Sequence, residues 1–88
     1  MEVLARADGL DVNEVPDGYV IYHIASDRVH YLNKTAAIVF ELCNGSEAND
    51  IVARVGQMFS LDDETANEVI EACIQSLLKE GLVLYRSK

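Results

Sequence analysis

The sequence has no long hydrophobic run, few basic residues and only two cysteines, and each shortage excludes a class of protein. No stretch approaches the roughly 20 apolar residues that a membrane-spanning helix needs. Residues 1–6 also lack the basic start and the apolar stretch of a signal peptide. We therefore expect a cytoplasmic protein with no membrane partner.

Basic residues are scarce: seven Lys and Arg stand against 15 Asp and Glu, which gives a formal net charge of −8. The seven are scattered along the chain, and no basic helix is predicted among them. Because proteins bind nucleic acids through clustered Lys and Arg at the phosphates, this balance argues against a nucleic-acid partner. A basic peptide or a basic patch on another protein is electrostatically favoured, although acidity also simply keeps a small protein in solution.

Catalytic and metal-binding motifs are absent from the sequence as well. His23 and His30 lie in separate predicted strands, and no Cys-x-x-Cys or His-x-x-x-His spacing occurs. The acidic run 62–64 is better explained as the start of a helix. Cys43 and Cys73 each lie in an apolar helical pattern, which favours buried free thiols over a disulfide. We predict a protein that is not an enzyme, with no metal site and no cofactor.

The length of 88 residues fits one α+β domain, residues 1–88, whose first third predicts strands. The segment 3–7 is a weak strand candidate, followed by a polar link through residues 9–18. The segments 19–24 and 29–32 are rich in β-branched and aromatic residues and predict a hairpin. Together these segments predict a three-stranded antiparallel sheet near the N-terminus.

Three helices are predicted in the remainder of the chain. The first is nearly all apolar, capped by Asn33 and ended by Gly45. Ser46 is predicted to cap the second helix and Asp62 the third, because apolar residues recur at helical spacing after each of them. The segment 82–85 predicts a short extended tail that can pair with the sheet.

The sheet and the third helix each offer a candidate binding surface. A three-stranded sheet leaves an open edge, to which an extended peptide can add as a further strand. The apolar positions of the third helix, from Val69 to Leu78, cover about half its circumference, more than a core stripe requires. Both features also occur without a ligand, because aromatic residues pack across strands and a helix in a small domain contacts several neighbours. The residues alone leave both interpretations open.

Three segments of the chain resemble a known family. The segment Val29–Gly45, V-H-Y-L-N-K-T-A-A-I-V-F-E-L-C-N-G, is similar to the PqqD family. That family includes the peptide chaperone of pyrroloquinoline quinone (PQQ) biosynthesis and the related precursor recognition elements of RiPPs, which are ribosomally synthesised and modified peptides. Asp50–Ala53 and Ser76–Val83 resemble further parts of the family pattern, and the resemblance covers residues 19–85.

The resemblance implies a winged helix-turn-helix-like fold with a three-stranded N-terminal sheet and three helices. It implies a non-catalytic peptide chaperone that binds the leader segment of a precursor peptide and presents it to a modifying enzyme, often a radical SAM enzyme, in PQQ or other RiPP biosynthesis. The leader would add as a strand beside the third strand, in the groove between that strand and the third helix. Carried onto this chain, the expected peptide-binding residues are Arg28, Val29, His30 and Tyr31 on the strand and Val69, Ile70, Cys73 and Leu77 on the helix.

Two alternatives from other classes share the predicted topology. A winged-helix DNA-binding regulator has the same order of elements, but the acidic charge opposes it. A small structural subunit could use the same sheet edge to dimerise. The sequence does not fix the oligomeric state.

Overall fold

A computed structural model describes residues 2–87 and shows an α+β fold, with N-terminal antiparallel strands followed by three helices. The predicted fold class is therefore confirmed, while Met1 and Lys88, the ends of the predicted domain, lie outside the described residues. The strands are β1 (Glu2–Arg6), β2 (Leu10–Val15), β3 (Gly18–His23), β4 (Arg28–Asn33), β5 (Asn44–Ser46) and β6 (Val83–Ser87). The helices are α1 (Lys34–Leu42), α2 (Ala48–Met58) and α3 (Asp63–Lys79).

Strands β2, β3 and β4 form an antiparallel sheet in that order. The register pairs Ile21 with His30 and Tyr19 with Leu32. Because successive residues of a strand point to opposite faces, His30 and Leu32 share the face of Ile21, which lies in the core. Val29 and Tyr31 therefore point to the opposite face of the sheet, away from the core.

The first strand of this sheet is β2, which corrects the prediction that residues 9–18 form a polar link and that the segment 3–7 is the first strand. The segment 10–15 alternates apolar and polar residues up to Asn13, and most of its residues are exposed. A strand that buries so little of either face has a mostly polar sequence, so the alternation of apolar and polar residues that indicates a strand is hard to recognise. The segment 3–7 forms β1, which pairs instead with β5 and β6 in a second antiparallel sheet. The predicted tail at 82–85 thus does pair with a strand, as part of β6.

Asn33 ends β4 and caps α1, as predicted. Its Oδ1 accepts a hydrogen bond from the backbone N–H of Ala36 at 2.9 Å. The helix ends at Leu42, where the N–H of Cys43 donates to the carbonyls of Val39 and Phe40. Gly45 has the positive φ expected of it, 87°, but lies within β5 rather than at the helix end.

Helix α2 begins differently from the prediction. The residue at its N-cap is Glu47, without a side-chain hydrogen bond to the helix, and the predicted cap, Ser46, is the last residue of β5. The pairing of β5 with β1 places Ser46 opposite Leu4. Sheet formation therefore fixes this residue before the helix starts.

Helix α3 begins and ends as predicted. The Oδ1 of Asp62 accepts a hydrogen bond from the N–H of Thr65 at 2.7 Å. At the other end the N–H of Leu82 donates to the carbonyl of Leu77 at 3.0 Å, and Gly81 takes a φ of 76°. This turn brings the chain from the end of α3 directly into β6.

A contiguous hydrophobic core joins both sheets to the three helices. Its fully buried side chains come from every layer and include Leu4, Ile21, Phe40, Ile51, Ile70, Ile74 and Val83. Within residues 2–87, no helix is long and apolar enough to cross a membrane.

Candidate functional site

The edge of β4 is open. It pairs with β3 on one side, and no other strand within residues 2–87 pairs with its second side. In an edge strand, alternate residues direct their N–H and C=O groups outward, where an added strand can bind them. Val29 and Tyr31 are 66% and 58% exposed, and the hydroxyl of Tyr31 donates to the carbonyl of Asp17 at 3.3 Å. The edge is therefore accessible over the predicted segment.

A groove of about 300 Å³ separates this edge from the C-terminal half of α3. Its lining consists of Val29, His30, Tyr31 and Leu32 on β4, Ser76, Leu77 and Glu80 on or just after α3, and Leu82. The leucines are almost completely buried and form an apolar floor. An extended chain beside β4 would lie over this floor, next to the polar side chains of His30, Ser76 and Glu80.

His30 and Glu80 meet across the groove. The Nδ1 of His30 lies 3.4 Å from Oε2 of Glu80, and only 13% of the His30 side chain is exposed. Its Nε2 is buried and has no hydrogen-bond partner among residues 2–87. Glu80 occupies the C-cap of α3, where the helix dipole disfavours a negative charge. The groove thus holds an acidic group and a histidine that is only partly satisfied.

Four of the predicted peptide-binding residues, Val29, His30, Tyr31 and Leu77, line the groove, although the side chains of Val29 and Tyr31 point to the other face of the sheet. Arg28 is exposed at the first position of β4. On α3, Val69 is exposed and Cys73 is half-buried. Both lie on helical turns that are N-terminal to the residues lining the groove. Ile70 is fully buried in the core, so its side chain does not reach the groove.

Sequence reasoning missed Ser76 and Glu80 on the helix wall, and Leu32 and Leu82 in the floor. Ser76 and Glu80 follow Val69 by seven and eleven residues, a spacing that places all three on one side of a helix. Both are polar, so a search for apolar helix positions passes over them. Leu82 reaches the groove only because the turn at Gly81 redirects the chain.

The two thiols are poorly suited to act as nucleophiles. Burial raises the pKa of Cys43 to about 12, and desolvation also raises the pKa of Cys73. Because the thiolate is the reactive form, both groups are largely unreactive at neutral pH. Both cysteines are free; Cys43 is buried as predicted, whereas Cys73, also predicted to be buried, is half-buried. Residues 2–87 contain no group of three or more His, Cys, Asp or Glu side chains that could hold a metal ion.

Two other cavities do not touch β4. One of about 560 Å³ lies between the β2–β3 turn, α1 and the end of α2, and one of about 360 Å³ lies between α2 and α3. At the second edge of the sheet, residues 11–14 of β2 are all exposed, and Glu14 lines the larger of these two cavities together with residues of α1. The β4 edge combines open backbone groups with a groove that faces the C-terminal half of α3.

Comparisons with known proteins were consistent with this architecture. A family model described as coenzyme PQQ synthesis protein D (PqqD) matches residues 18–83. The solved structure of TbiB1 in complex with the TbiA(beta) leader peptide has a TM-score of 0.80 and 16% identity, covering 96% of this chain and 99% of that chain. Lasso peptide synthetase B1 complexed with the leader peptide has a TM-score of 0.77 and 23% identity, covering 92% and 96%. No curated protein matches the chain. At these identities the two structures establish a shared fold.

Proposed function

The chain belongs to the PqqD family, and we propose that it is a non-catalytic chaperone that binds the leader segment of a ribosomally synthesised precursor peptide and presents it to a modifying enzyme. The observation that carries the proposal is the open edge of β4 beside the groove to α3. Both solved structures with the same fold are complexes with a leader peptide, which supports this assignment. The proposal covers PQQ biosynthesis and other RiPP pathways, with a radical SAM enzyme as one class of partner.

The leader adds to β4 as a fourth strand. Backbone hydrogen bonds along residues 28–31 supply affinity, and side chains that point into the groove supply specificity. On the helix side the contacts come from Ser76, Leu77 and Glu80, while Val69 and Cys73 meet a leader that continues along α3. Ile70 supports this wall from the core.

Presentation to an enzyme requires that the bound leader stay accessible. Val29 and Tyr31 point to the face of the sheet away from the core and are largely exposed. Every second side chain of an added strand would point to this same face. The enzyme can therefore contact the leader there while the groove holds the other side chains. In this role residues 1–88 act as one domain, in the cytoplasm.

A titration followed by NMR tests the proposal. The ¹⁵N-labelled chain is titrated with the precursor peptide encoded beside its gene. We expect the amide signals of residues 28–31 and of residues 66–80 to shift together. Shifts confined to other regions, or none at saturating peptide, would contradict the proposal.

Proline substitutions in β4 separate backbone binding from side-chain binding. Neighbouring N–H groups of an edge strand point alternately to the paired strand and to the open side. Of the variants Val29→Pro and His30→Pro, one therefore removes an N–H that bonds to β3, and the other removes an N–H that points outward. The variant that keeps the native circular dichroism spectrum has lost an outward N–H. We expect it to bind the leader about tenfold more weakly than the alanine variant at the same position. Equal binding by these two variants would refute strand addition.

A further inference from the structure

The charged residues of α3 are distributed unevenly around the helix. At 100° per residue, Val69, Cys73 and Ser76 follow one another along the groove side, which is uncharged until Glu80. The other acidic residues of the helix, including Glu68, lie on different sides. Glu80 is therefore the one carboxylate in the lining of the groove, and that lining contains no Lys or Arg.

The position of Glu80 is electrostatically unfavourable in the chain alone. The C-terminus of a helix carries partial negative charge, so a carboxylate at the C-cap is repelled where Lys or Arg would be stabilised. Its one ion-pair partner within residues 2–87 is His30, at 3.4 Å. This end of the groove therefore favours a cation.

His30 also lacks an interaction, because one of its ring nitrogens has no hydrogen-bond partner among the described residues. If its Nδ1–H donates to Glu80, the lone pair of Nε2 is a buried acceptor, and no group within residues 2–87 donates to it. An acceptor without a donor in a closed environment is unfavourable. The pair thus presents the negative charge of Glu80 to the groove, while the Nε2 of His30 is closed off and lacks a donor from the described part of the chain.

Side chains of β4 alternate between the two faces of the sheet, and this alternation sets the spacing between the peptide side chains that can enter the groove. His30 and Leu32 are the groove-facing residues of the edge, two positions apart, so a paired strand directs side chains two residues apart into the groove. One of these side chains lies beside His30 and Glu80. The other lies beside Leu32, over the apolar floor that includes Leu77.

We propose that the leader recognised by this chain carries a Lys or Arg two residues from an aliphatic residue, and that Glu80, with His30, selects the basic side chain. This inference rests on the proposed function and specifies the class of peptide. The net charge of −8 acts in the same direction, because it attracts a basic segment and repels an acidic one.

A selection from random peptides tests this inference and requires no leader sequence. A library of short random peptides displayed on mRNA is selected against the immobilised wild-type chain, against Glu80→Gln and against Glu68→Gln. Glu68 is a control of the same residue type, since it is exposed like Glu80 but lies within α3 and does not line the groove. With the wild type and with Glu68→Gln, we expect enrichment of Lys or Arg two residues from Leu, Ile or Val. With Glu80→Gln the aliphatic preference should persist and the basic preference should disappear.

Affinities of one selected peptide complete the test. Replacing its basic residue by glutamine should weaken binding to the wild type about fivefold, and should have less than about a twofold effect on binding to Glu80→Gln. Peptides that shift the amides of residues 28–31 without basic enrichment, or with the same enrichment on Glu80→Gln, overturn the inference and leave the proposed function intact. A library that yields no peptide shifting those amides contradicts the proposed function, and the inference falls with it.

Discussion

Replacing Gly18 by alanine tests how closely β3 approaches β4. Gly18 has a φ of +149°, and a Cβ at this position would lie 1.8 Å from the carbonyl oxygen of Leu32 and 2.9 Å from the carbonyl carbon of Asn33. Heavy atoms do not approach a Cβ closer than about 3 Å in proteins. Because both opposing atoms belong to the backbone, no side-chain rotation relieves the overlap. The variant must therefore separate the two strands beside Leu32, which forms part of the groove floor.

The expected loss of stability follows from a comparison with Gly9→Ala. Gly9 also has a positive φ, +71°, but a Cβ there meets nothing within 4 Å. Gly9→Ala should therefore show only the conformational penalty, about 1 kcal/mol. Gly18→Ala adds the steric term and should lose about 3 kcal/mol or more. Since about 1 kcal/mol shifts the Tm of a domain of this size by roughly 4–8 °C, the two variants should melt at clearly different temperatures.

Urea unfolding followed by far-ultraviolet circular dichroism measures this difference, and it suits a chain without tryptophan. Leader binding is measured on the same samples at a temperature where both variants are folded. We expect Gly18→Ala to bind more weakly than the wild type and Gly9→Ala to bind normally. Equal free energies of unfolding for the two variants would refute the close approach of β3 and β4.

Two further predictions concern ionisable groups. Hydrogen bonds from Thr65 hold the pKa of Asp62 below its ordinary value of 3.8, so the stabilisation from this carboxylate is complete above that value and is lost as the pH falls through the folded-state pKa. Asp62→Asn, which still caps the helix, should therefore lose less stability below about pH 4 than the wild type does, and an unchanged pH profile of urea midpoints would contradict this. A thiol reagent at pH 8 should label Cys73 well before Cys43, since a pKa of about 12 leaves roughly one Cys43 thiol in ten thousand ionised. Equal labelling rates under native conditions would show that Cys43 is not closed off in the core.

Local signals in the sequence predicted the elements that depend on local contacts. The caps at Asn33 and Asp62 each accept a hydrogen bond from an N–H three residues ahead, so both partners lie within one turn. The β3–β4 hairpin and the end of α3 at Gly81 are equally local. These features place the edge strand and the helix wall of the site.

The missing parts depend on contacts between distant residues. The pairing of β1 with β5 and β6 joins segments more than 35 residues apart, and no local pattern encodes such a choice. It also moves Ser46 from a helix cap into a strand. On the site, the contact between His30 and Glu80 spans strand and helix, so neither residue's neighbours in the sequence indicate it. The edge could thus be predicted from the sequence, while half of the groove could not.

Amide hydrogen exchange along β4 tests strand addition most directly. Exchange at residues 28–31 is measured by NMR for the chain alone and saturated with its leader peptide. An added strand bonds only the outward N–H groups, so we predict new protection at alternate residues, either Arg28 and His30 or Val29 and Tyr31. Saturation with leader that leaves all four exchange rates unchanged, or that slows all four equally, would contradict strand addition at this edge.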